Sequence, residues 1–328
     1  MRFKKGVFSF LLLSLCMLFL FSSCARPYER AQGYAMGAFV SVSAERKETA
    51  RELVALVSAL ENEISHAVPS SSIAALNRGE SVPLSDTLFS VLSLCLEIEA
   101  KTEGAFSILL LPVTSLWDFN EGTVPSSEAL SLALGEVEAS SLSLKDGEAS
   151  LSGGGIDLGA VGKGMGADVL ANALKQKGES GIVAVGGSLG AVGNKNGEGW
   201  LIGVRDPFSS SQSATIGTLC IEDAFVSTSG SYEKAFTAQG ISYHHILSKK
   251  TGLPVENDLV SVTVIAKNGA LSDILSTALY AVGVEKGASL CAEYGAEALF
   301  VKKDGEMLAT AGFASLFSAS EGEVHILE

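Results

Sequence analysis

The pattern of apolar and polar positions predicts a chain that mixes strands and amphipathic helices without a simple repeating order. Alternating or β-branched runs predict strands within 36–44, 182–204, 214–227, 259–266 and 298–308, and a small hairpin before 150. Helical spacing of apolar residues covers 45–65, 85–103, part of 123–150, 162–178 and 272–293. The strands outnumber those of a β-α-β alternation. The pattern therefore favours an α+β fold with mainly antiparallel sheets and packed helices over a doubly wound parallel sheet.

Composition narrows the class of protein. The chain has 328 residues, of which 47% are hydrophobic and 35 are glycine, so it can bury a substantial core. A disordered or coiled-coil protein would have a different composition. The formal net charge is −14 and the sequence has no basic cluster, which argues against nucleic-acid binding.

The N-terminus has the features of a bacterial lipoprotein. Three of the first five residues are basic, and the apolar stretch 7–21 is too short for a confident membrane span. It runs into Phe-Ser-Ser-Cys, which predicts lipidation of Cys24 and a protein body held on the outer side of the cell membrane. A plain secretory signal cut near Ala25 is the alternative. We expect a lipoprotein signal peptide (1–23), a tether (24–35) and one domain (36–328).

The remaining cysteines predict no disulfide framework. Cys95, Cys220 and Cys291 are odd in number and each lies in an apolar run, so we expect three buried free thiols. No Cys or His spacing in the sequence suits a zinc site.

The stretch 271–282, LSDILSTALYAV, places oxygen-bearing side chains on one side of a predicted helix. Asp273, Ser276 and Thr277 stand at i, i+3 and i+4, so all three can point the same way. Such oxygen ligands suit a hard cation such as Mg²⁺, which proteins hold with few protein oxygens plus substrate phosphates. A solvated helix face is the structural alternative.

A glycine-rich segment follows the residue pattern GxGxxA. It is GKGMGA at 162–167, but a dinucleotide fold also needs an acidic residue at the end of the next strand. The next predicted strand, 182–185, ends in Gly-Gly instead. The pattern therefore disfavours a Rossmann site, and the open alternatives are a phosphate-binding segment and a glycine-rich connector.

Five motifs in this order resemble the ApbE-type FAD:protein FMN transferases over about 36–313. They are DLGAVGKGMGADVL (157–170), VSTSGSYEKAF (226–236), YHHILSKKTGLP (243–254), SVTVIA (261–266) and LSDILSTALYAV (271–282). The resemblance implies a T-fold-like architecture, FAD as substrate, Mg²⁺ as cofactor and transfer of FMN to a Thr or Ser hydroxyl with release of AMP. It also implies flavin-carrying subunits of Rnf-type and sodium-translocating NADH:quinone reductase-type complexes as targets. With water in place of the hydroxyl, the resemblance also implies hydrolysis of FAD to FMN and AMP as a side activity.

The resemblance assigns roles to individual residues. Catalysis falls to Lys163 and His245, and the metal ligands are the Ala160 carbonyl, Asp273 and Thr277, with Ser276 beside them. The flavin nucleotide would contact Met36, Ala105, Phe106, Ser107, Asp157, Lys163 and Leu247. Because adjacent side chains of a strand point to opposite faces, one of His244 and His245 can enter the site while the other does not.

The chain departs from the family pattern at several positions. Ala67 stands where an aromatic residue is usual, and Ser107 and Ser248 stand where Asp is usual. These changes fall on the flavin and adenine side of the expected pocket or on positions that shape loops. They leave a second interpretation open, a non-catalytic FAD-binding lipoprotein that acts as a flavin reservoir or sensor.

Overall fold

The computed structural model describes residues 27–327, so the predicted signal peptide and Cys24 lie outside it. The strands in this part are β1 (Glu29–Ala35), β2 (Ala38–Ala44), β3 (Val82–Pro83), β4 (Ser141–Lys145), β5 (Glu148–Ser152), β6 (Gly181–Val185), β7 (Ser188–Val192), β8 (Trp200–Arg205), β9 (Thr215–Ile221), β10 (Phe225–Gly230), β11 (Ala235–Ala238), β12 (Ile241–His244), β13 (Leu259–Ala266), β14 (Glu297–Lys302), β15 (Met307–Ala309), β16 (Phe317–Ala319) and β17 (Val324–Ile326). The helices are α1 (Lys47–Ile64), α2 (Ser72–Asn77), α3 (Asp86–Lys101), α4 (Leu111–Thr114), α5 (Ser127–Glu138), α6 (Gly162–Gln176), α7 (Gly269–Val282), α8 (Val284–Tyr294) and α9 (Ala311–Leu316).

A nine-stranded sheet forms the centre of the molecule, in the order β1-β2-β6-β7-β10-β13-β14-β15-β17. Its neighbours pair antiparallel except β15 and β17, which confirms the predicted α+β class. Every residue of β13 is buried, because helices cover one face of the sheet and a second sheet covers the other. Three smaller sheets are β16-β9-β8, β3-β5-β4 and the hairpin β11-β12.

Helices α1, α6 and α7 cover one face of the central sheet. Apolar residues of α1 and α6 pack on β2 and β6, and those of α7 pack on β13 and β14. The opposite face packs against β8 and β9 through Trp200, Val204 and Leu219. Within residues 27–327, no helix is long and apolar enough to span a membrane.

Three predictions, two about secondary structure and one about the burial of a cysteine, were wrong. The expected tether already contains β1, which pairs along its whole length with β2. The predicted long helix 272–293 is two helices, because Gly283 has a φ of 83° that ends α7. Cys220 is exposed, since it alternates along β9 with the buried residues Leu219 and Ile221. Cys95 and Cys291 are buried free thiols, as expected.

Candidate functional site

A cleft of about 1050 Å³ opens where the start of α6, the end of β12 and the loops near them meet. It brings together most of the residues that the sequence singled out. Those that line it are Met36, Ala105, Phe106, Ser107, Asp157, Ala160, Lys163, His245, Leu247 and Thr277. Asp273 and Ser276 do not line it, because both are buried in α7 directly behind the wall. Residues separated by up to 241 positions, Met36 and Thr277, thus share one cavity.

The position of Asp273 depends on an unusually close contact between α6 and α7. A Cβ atom at Gly164 would stand 2.2 Å from the carbonyl oxygen of Gly269, and a Cβ at Gly269 would stand 2.2 Å from that of Gly164. Two glycines therefore let the helix backbones touch. The Asp168 carboxylate accepts hydrogen bonds from the N–H groups of Gly269 and Ala270 at 2.7 and 2.8 Å, which fixes the start of α7.

This contact joins the carboxylate of α7 to the first turn of α6. Asp273 Oδ2 accepts a hydrogen bond from the Gly164 N–H at 2.8 Å, and its Oδ1 lies 3.9 Å from Lys163 Nζ. Lys163 also donates to the carbonyl oxygen of Gly159 at 3.1 Å. Gly164 of GKGMGA therefore serves the packing of α6 on α7, a role that the sequence interpretation missed. No strand leads directly into this segment, because β5 ends at Ser152 and a loop follows, which is consistent with the rejection of a Rossmann site.

Three hydroxyl groups form a cluster between β10 and α7. Ser229 Oγ lies 2.8 Å from Ser276 Oγ and 3.0 Å from Thr277 Oγ1. Ser276 also donates to the carbonyl oxygen of Asp273 at 2.9 Å and is fully buried. Of the two predicted hydroxyl ligands, only Thr277 therefore faces the cleft.

Asp157 is held in the loop that precedes α6. Its carboxylate accepts hydrogen bonds from Thr114 Oγ1 at 2.8 Å and from the Gly159 N–H at 2.9 Å. His66 Nδ1 lies 3.9 Å from it and also lines the cleft. The carboxylate is thus oriented in the cleft wall while it remains partly exposed.

The two adjacent histidines separate as strand alternation predicts. His244 is buried, and its Nε2 lies 3.2 Å from the carbonyl oxygen of Val255. His245 lines the cleft, and its Nδ1 lies 2.9 Å from the carbonyl oxygen of Glu233. Burial, reinforced by the charge of Lys163, lowers the pKa of His245 to about 4. The imidazole is therefore neutral near pH 7, with Nδ1–H donating to Glu233 and Nε2 left as a proton acceptor.

The sequence interpretation missed several charged residues of the cleft, among them Glu233 and Arg205. Glu233 lies within the quoted motif 226–236, and burial raises the pKa of its carboxyl group. Arg205 ends β8, and its guanidinium lies over the ring of Tyr232, 4.8 Å from the centroid. Arg205 lies outside the motifs quoted above, so its position in the cleft is known only from the fold.

The sequence of this domain is similar to that of known proteins. The model of the ApbE family matches residues 36–300. The chain belongs to the ApbE family. An FAD:protein FMN transferase from Treponema pallidum is 31% identical over 335 residues, which cover 91% of this chain and 92% of that protein.

Solved ApbE structures share the fold. The crystal structure of the ApbE protein from Thermotoga maritima has a TM-score of 0.78 at 26% identity and covers 88% of this chain and 99% of its own. The flavinyl transferase ApbE from Pseudomonas stutzeri, in its apo form, has a TM-score of 0.75 at 29% identity and covers 90% of this chain and 98% of its own. The predictions of family and fold are confirmed.

Two of the three departures from the usual ApbE pattern, Ser107 and Ser248, have local structural replacements. Ser107 is buried, and its hydroxyl accepts a hydrogen bond from the Leu109 N–H at 3.1 Å. In the loop after Leu247, Ser248 N–H donates to the carbonyl oxygen of Leu253 at 2.8 Å, and Lys249 forms an ion pair with Glu99. The loop therefore keeps a defined shape without the usual Asp. Ala67 still lines the cleft but supplies no ring.

Proposed function

We propose that this protein is an FAD:protein FMN transferase, which moves the FMN moiety of FAD onto a Thr or Ser hydroxyl and releases AMP. The observation that carries the proposal is the junction of Lys163 and Asp273 at the wall of the large cleft, in a chain of the ApbE family. A lysine and a buried carboxylate at one point suit the handling of a pyrophosphate. A cleft of about 1050 Å³ is at the upper end of the size range of ligand pockets, as a dinucleotide requires.

The chemical step exchanges the phosphoanhydride bond of the FAD pyrophosphate for a phosphate ester bond to the acceptor. The hydroxyl oxygen of the acceptor forms a bond to the phosphorus of the FMN half, and the bond from that phosphorus to the bridging oxygen breaks. AMP leaves with the bridging oxygen. His245 Nε2 takes the hydroxyl proton, and its contact with Glu233 keeps the ring in the required tautomer. Lys163 neutralises charge on the phosphate oxygens.

The residues around Asp273 fit a magnesium ion. The Asp273 side chain is 4% exposed, and its Oδ1 lies 3.9 Å from Lys163 Nζ, which is longer than a hydrogen bond. A buried carboxylate oxygen that lies beyond hydrogen-bonding distance of the nearest ammonium group favours a cation beside it. Asp273, Thr277 and the Ala160 carbonyl would hold it, a set of hard oxygen ligands that suits Mg²⁺. Bound there, Mg²⁺ would act as a Lewis acid on the pyrophosphate oxygens.

The same site supports hydrolysis when water takes the place of the hydroxyl, giving FMN and AMP from FAD. We propose flavin-carrying subunits of Rnf-type and NADH:quinone reductase-type complexes as acceptors. We also propose that a lipid on Cys24 anchors the protein to the cell membrane, with the domain on the extracytoplasmic side. These proposals follow the family resemblance and the sequence of the N-terminus.

One incubation tests the proposal. Purified protein, FAD and Mg²⁺ are mixed with a Thr-containing acceptor peptide, and the products are analysed by mass spectrometry and chromatography. We expect an FMN adduct on the peptide and an equal amount of AMP, both lost in Asp273→Asn. FMN and AMP without an adduct would support hydrolysis alone. Bound but unaltered FAD would reject both activities and favour a non-catalytic flavin carrier.

A further inference from the structure

Strand β8 has a free edge beside the cleft. It is the last strand of the sheet β16-β9-β8 and bonds to β9 on one side, while no strand of residues 27–327 pairs with its other side. Ile202, Gly203 and Arg205 line the cleft. Because Gly203 has no side chain, its backbone itself forms part of the wall. A free strand edge presents N–H and C=O groups that can pair with another extended chain.

The side chains of β8 leave this edge accessible. Trp200 and Val204 are buried in the core, whereas Leu201 is 73% exposed. The pairing of β8 with β9 is irregular between Val204 and Arg205, and such a bulge changes the direction of a side chain. Along β8 therefore follow the exposed apolar side chain of Leu201, the unpaired backbone edge at Gly203 and the side chain of Arg205, whose direction the bulge changes.

Arg205 has an unused hydrogen-bonding capacity. Its Nε is buried without a hydrogen-bond partner, and no carboxylate of the described residues lies within 4.0 Å of its guanidinium nitrogens. The Tyr232 ring supports the guanidinium at 4.8 Å. Glu233 and Asp206 are the acidic groups nearby, but neither forms an ion pair with it. A guanidinium held flat in this way is prepared to bind a carboxylate with two hydrogen bonds.

We propose that an extended segment of the acceptor protein binds along the free edge of β8, with an acidic side chain of that segment paired to Arg205. The inference rests on the proposed function, because it requires a protein hydroxyl to reach the cleft. Lys163 and Asp273, which we assign to the pyrophosphate, belong to the helical side of the site. Alternating backbone donors and acceptors, by contrast, match a polypeptide. In a chain with a net charge of −14, an unpaired arginine also selects for an acidic partner.

The test uses short fluorescent peptides and the full-length protein loaded with FAD. Each peptide contains one threonine and one glutamate at varied separation, and a matched peptide has lysine in place of glutamate. Fluorescence anisotropy should show the best glutamate peptide binding about tenfold to a hundredfold more tightly than its lysine match. Arg205→Glu should reverse that preference. Arg51→Glu, the same charge change on the exposed face of α1, should leave it as it is.

Backbone methylation tests the strand pairing independently of charge. N-methyl groups on alternate residues of the best peptide block either the β8-facing or the outward-facing N–H groups. One register should abolish binding and the other should not, because only alternate residues of a strand bond to one neighbour.

Three results would overturn the inference. They are no binding of any peptide, binding that ignores the sign of charge at position 205, and equal effects of both methylation registers. A loss of FAD affinity in Arg205→Glu with the peptide preference retained would assign Arg205 to the pyrophosphate instead. FMN transfer by the wild-type protein to a folded flavoprotein subunit is measured separately. If that transfer persists while the peptides fail, only this inference is wrong, and if it is absent, the proposed function fails as well.

Discussion

At the residue scale, one hydrogen bond determines how His245 can act. Its Nδ1 faces the Glu233 carbonyl oxygen at 2.9 Å, and its pKa is lowered to about 4 by burial and by the charge of Lys163. A free histidine has a pKa of about 6.5. From the sequence alone, one expects a rate that rises with pH through about 6.5. The structure moves that transition to lower pH.

We therefore predict that the rate of FMN transfer does not depend on the ionisation of His245 near neutral pH. It should fall only as the pH approaches about 4, where protonation of Nε2 removes the proton acceptor. His245→Gln should lower the rate at saturating FAD by roughly 10²–10⁴-fold and abolish this acidic limb. A pH–rate profile of both proteins checks the prediction. A tenfold or greater rise in the Kd of FAD with an unchanged saturated rate would instead make His245 a binding residue.

A second prediction at this scale concerns Asp273. Asp273→Asn keeps an oxygen that can accept from the Gly164 N–H, but it removes the negative charge. We expect FMN transfer to be lost. The effect of Mg²⁺ on FAD affinity should also disappear, as measured by titration calorimetry with and without the metal. Glu48→Gln on the first turn of α1 is the matched control. Wild-type turnover of Asp273→Asn at saturating Mg²⁺ would remove this residue from the metal site.

At the element scale, the contact between α6 and α7 limits which residues the helices tolerate. Gly164→Ala would place a Cβ 2.2 Å from the Gly269 carbonyl oxygen and 2.6 Å from Asp273 Cβ. The helices must then separate, and we expect a loss of about 1–3 kcal/mol of unfolding free energy together with weaker FAD binding. Gly135→Ala in α5 is the control, because no atom lies within 4 Å of its Cβ. That variant should gain about 0.5–1 kcal/mol. Urea unfolding of both measures the difference, and equal stabilities would contradict the contact.

The sequence predicted most elements because their signals are local. The apolar spacing of 45–65 and 85–103 corresponds to α1 and α3, and the strand run predicted within 298–308 corresponds to β14 and β15. The errors have non-local causes. The strand β1 gains its order from pairing with β2, and the break at Gly283 is one glycine inside a run of apolar periodicity.

At the scale of the whole molecule, the cysteines predict a pattern of reactivity. Cys220 is exposed, whereas Cys95 and Cys291 are buried and burial raises the pKa of both thiols. A maleimide should therefore label Cys220 in the folded domain and reach the other two only after denaturation. Mass spectrometry of labelled peptides identifies the sites. Labelling of Cys95 in native protein at the rate of Cys220 would contradict the burial.

Location in the cell gives another prediction at this scale. If Cys24 carries lipid, the mature protein should partition with membranes, and Cys24→Ser should release it or leave it held by an uncleaved signal peptide. Cell fractionation with N-terminal sequencing measures this. A soluble mature protein that begins after residue 24 would reject the lipid anchor.

Only those residues of the candidate site that lie in recognisable motifs could be predicted from the sequence. Lys163, His245 and Asp273 lie in recognisable motifs, and the fold brings them to one cleft or its wall. Arg205 could not be foreseen as a cleft residue, because it lies at the end of a strand that reaches the cleft only after the small sheet has packed. The sequence also could not show why residue 164 is a glycine. Its contact partner, Gly269, is distant in sequence, and neither residue has a side chain that would indicate the contact.

The hydrogen bond from the Gly164 N–H to the Asp273 carboxylate has a practical consequence for spectroscopy. An amide proton bound to a carboxylate responds to any change in the charge of that acceptor. The Gly164 cross-peak in a nitrogen–proton NMR spectrum should therefore move on titration with Mg²⁺. Because glycine amides occupy their own region of such spectra, the occupancy of the metal site could be followed in real time without a flavin, a label or a coupled assay.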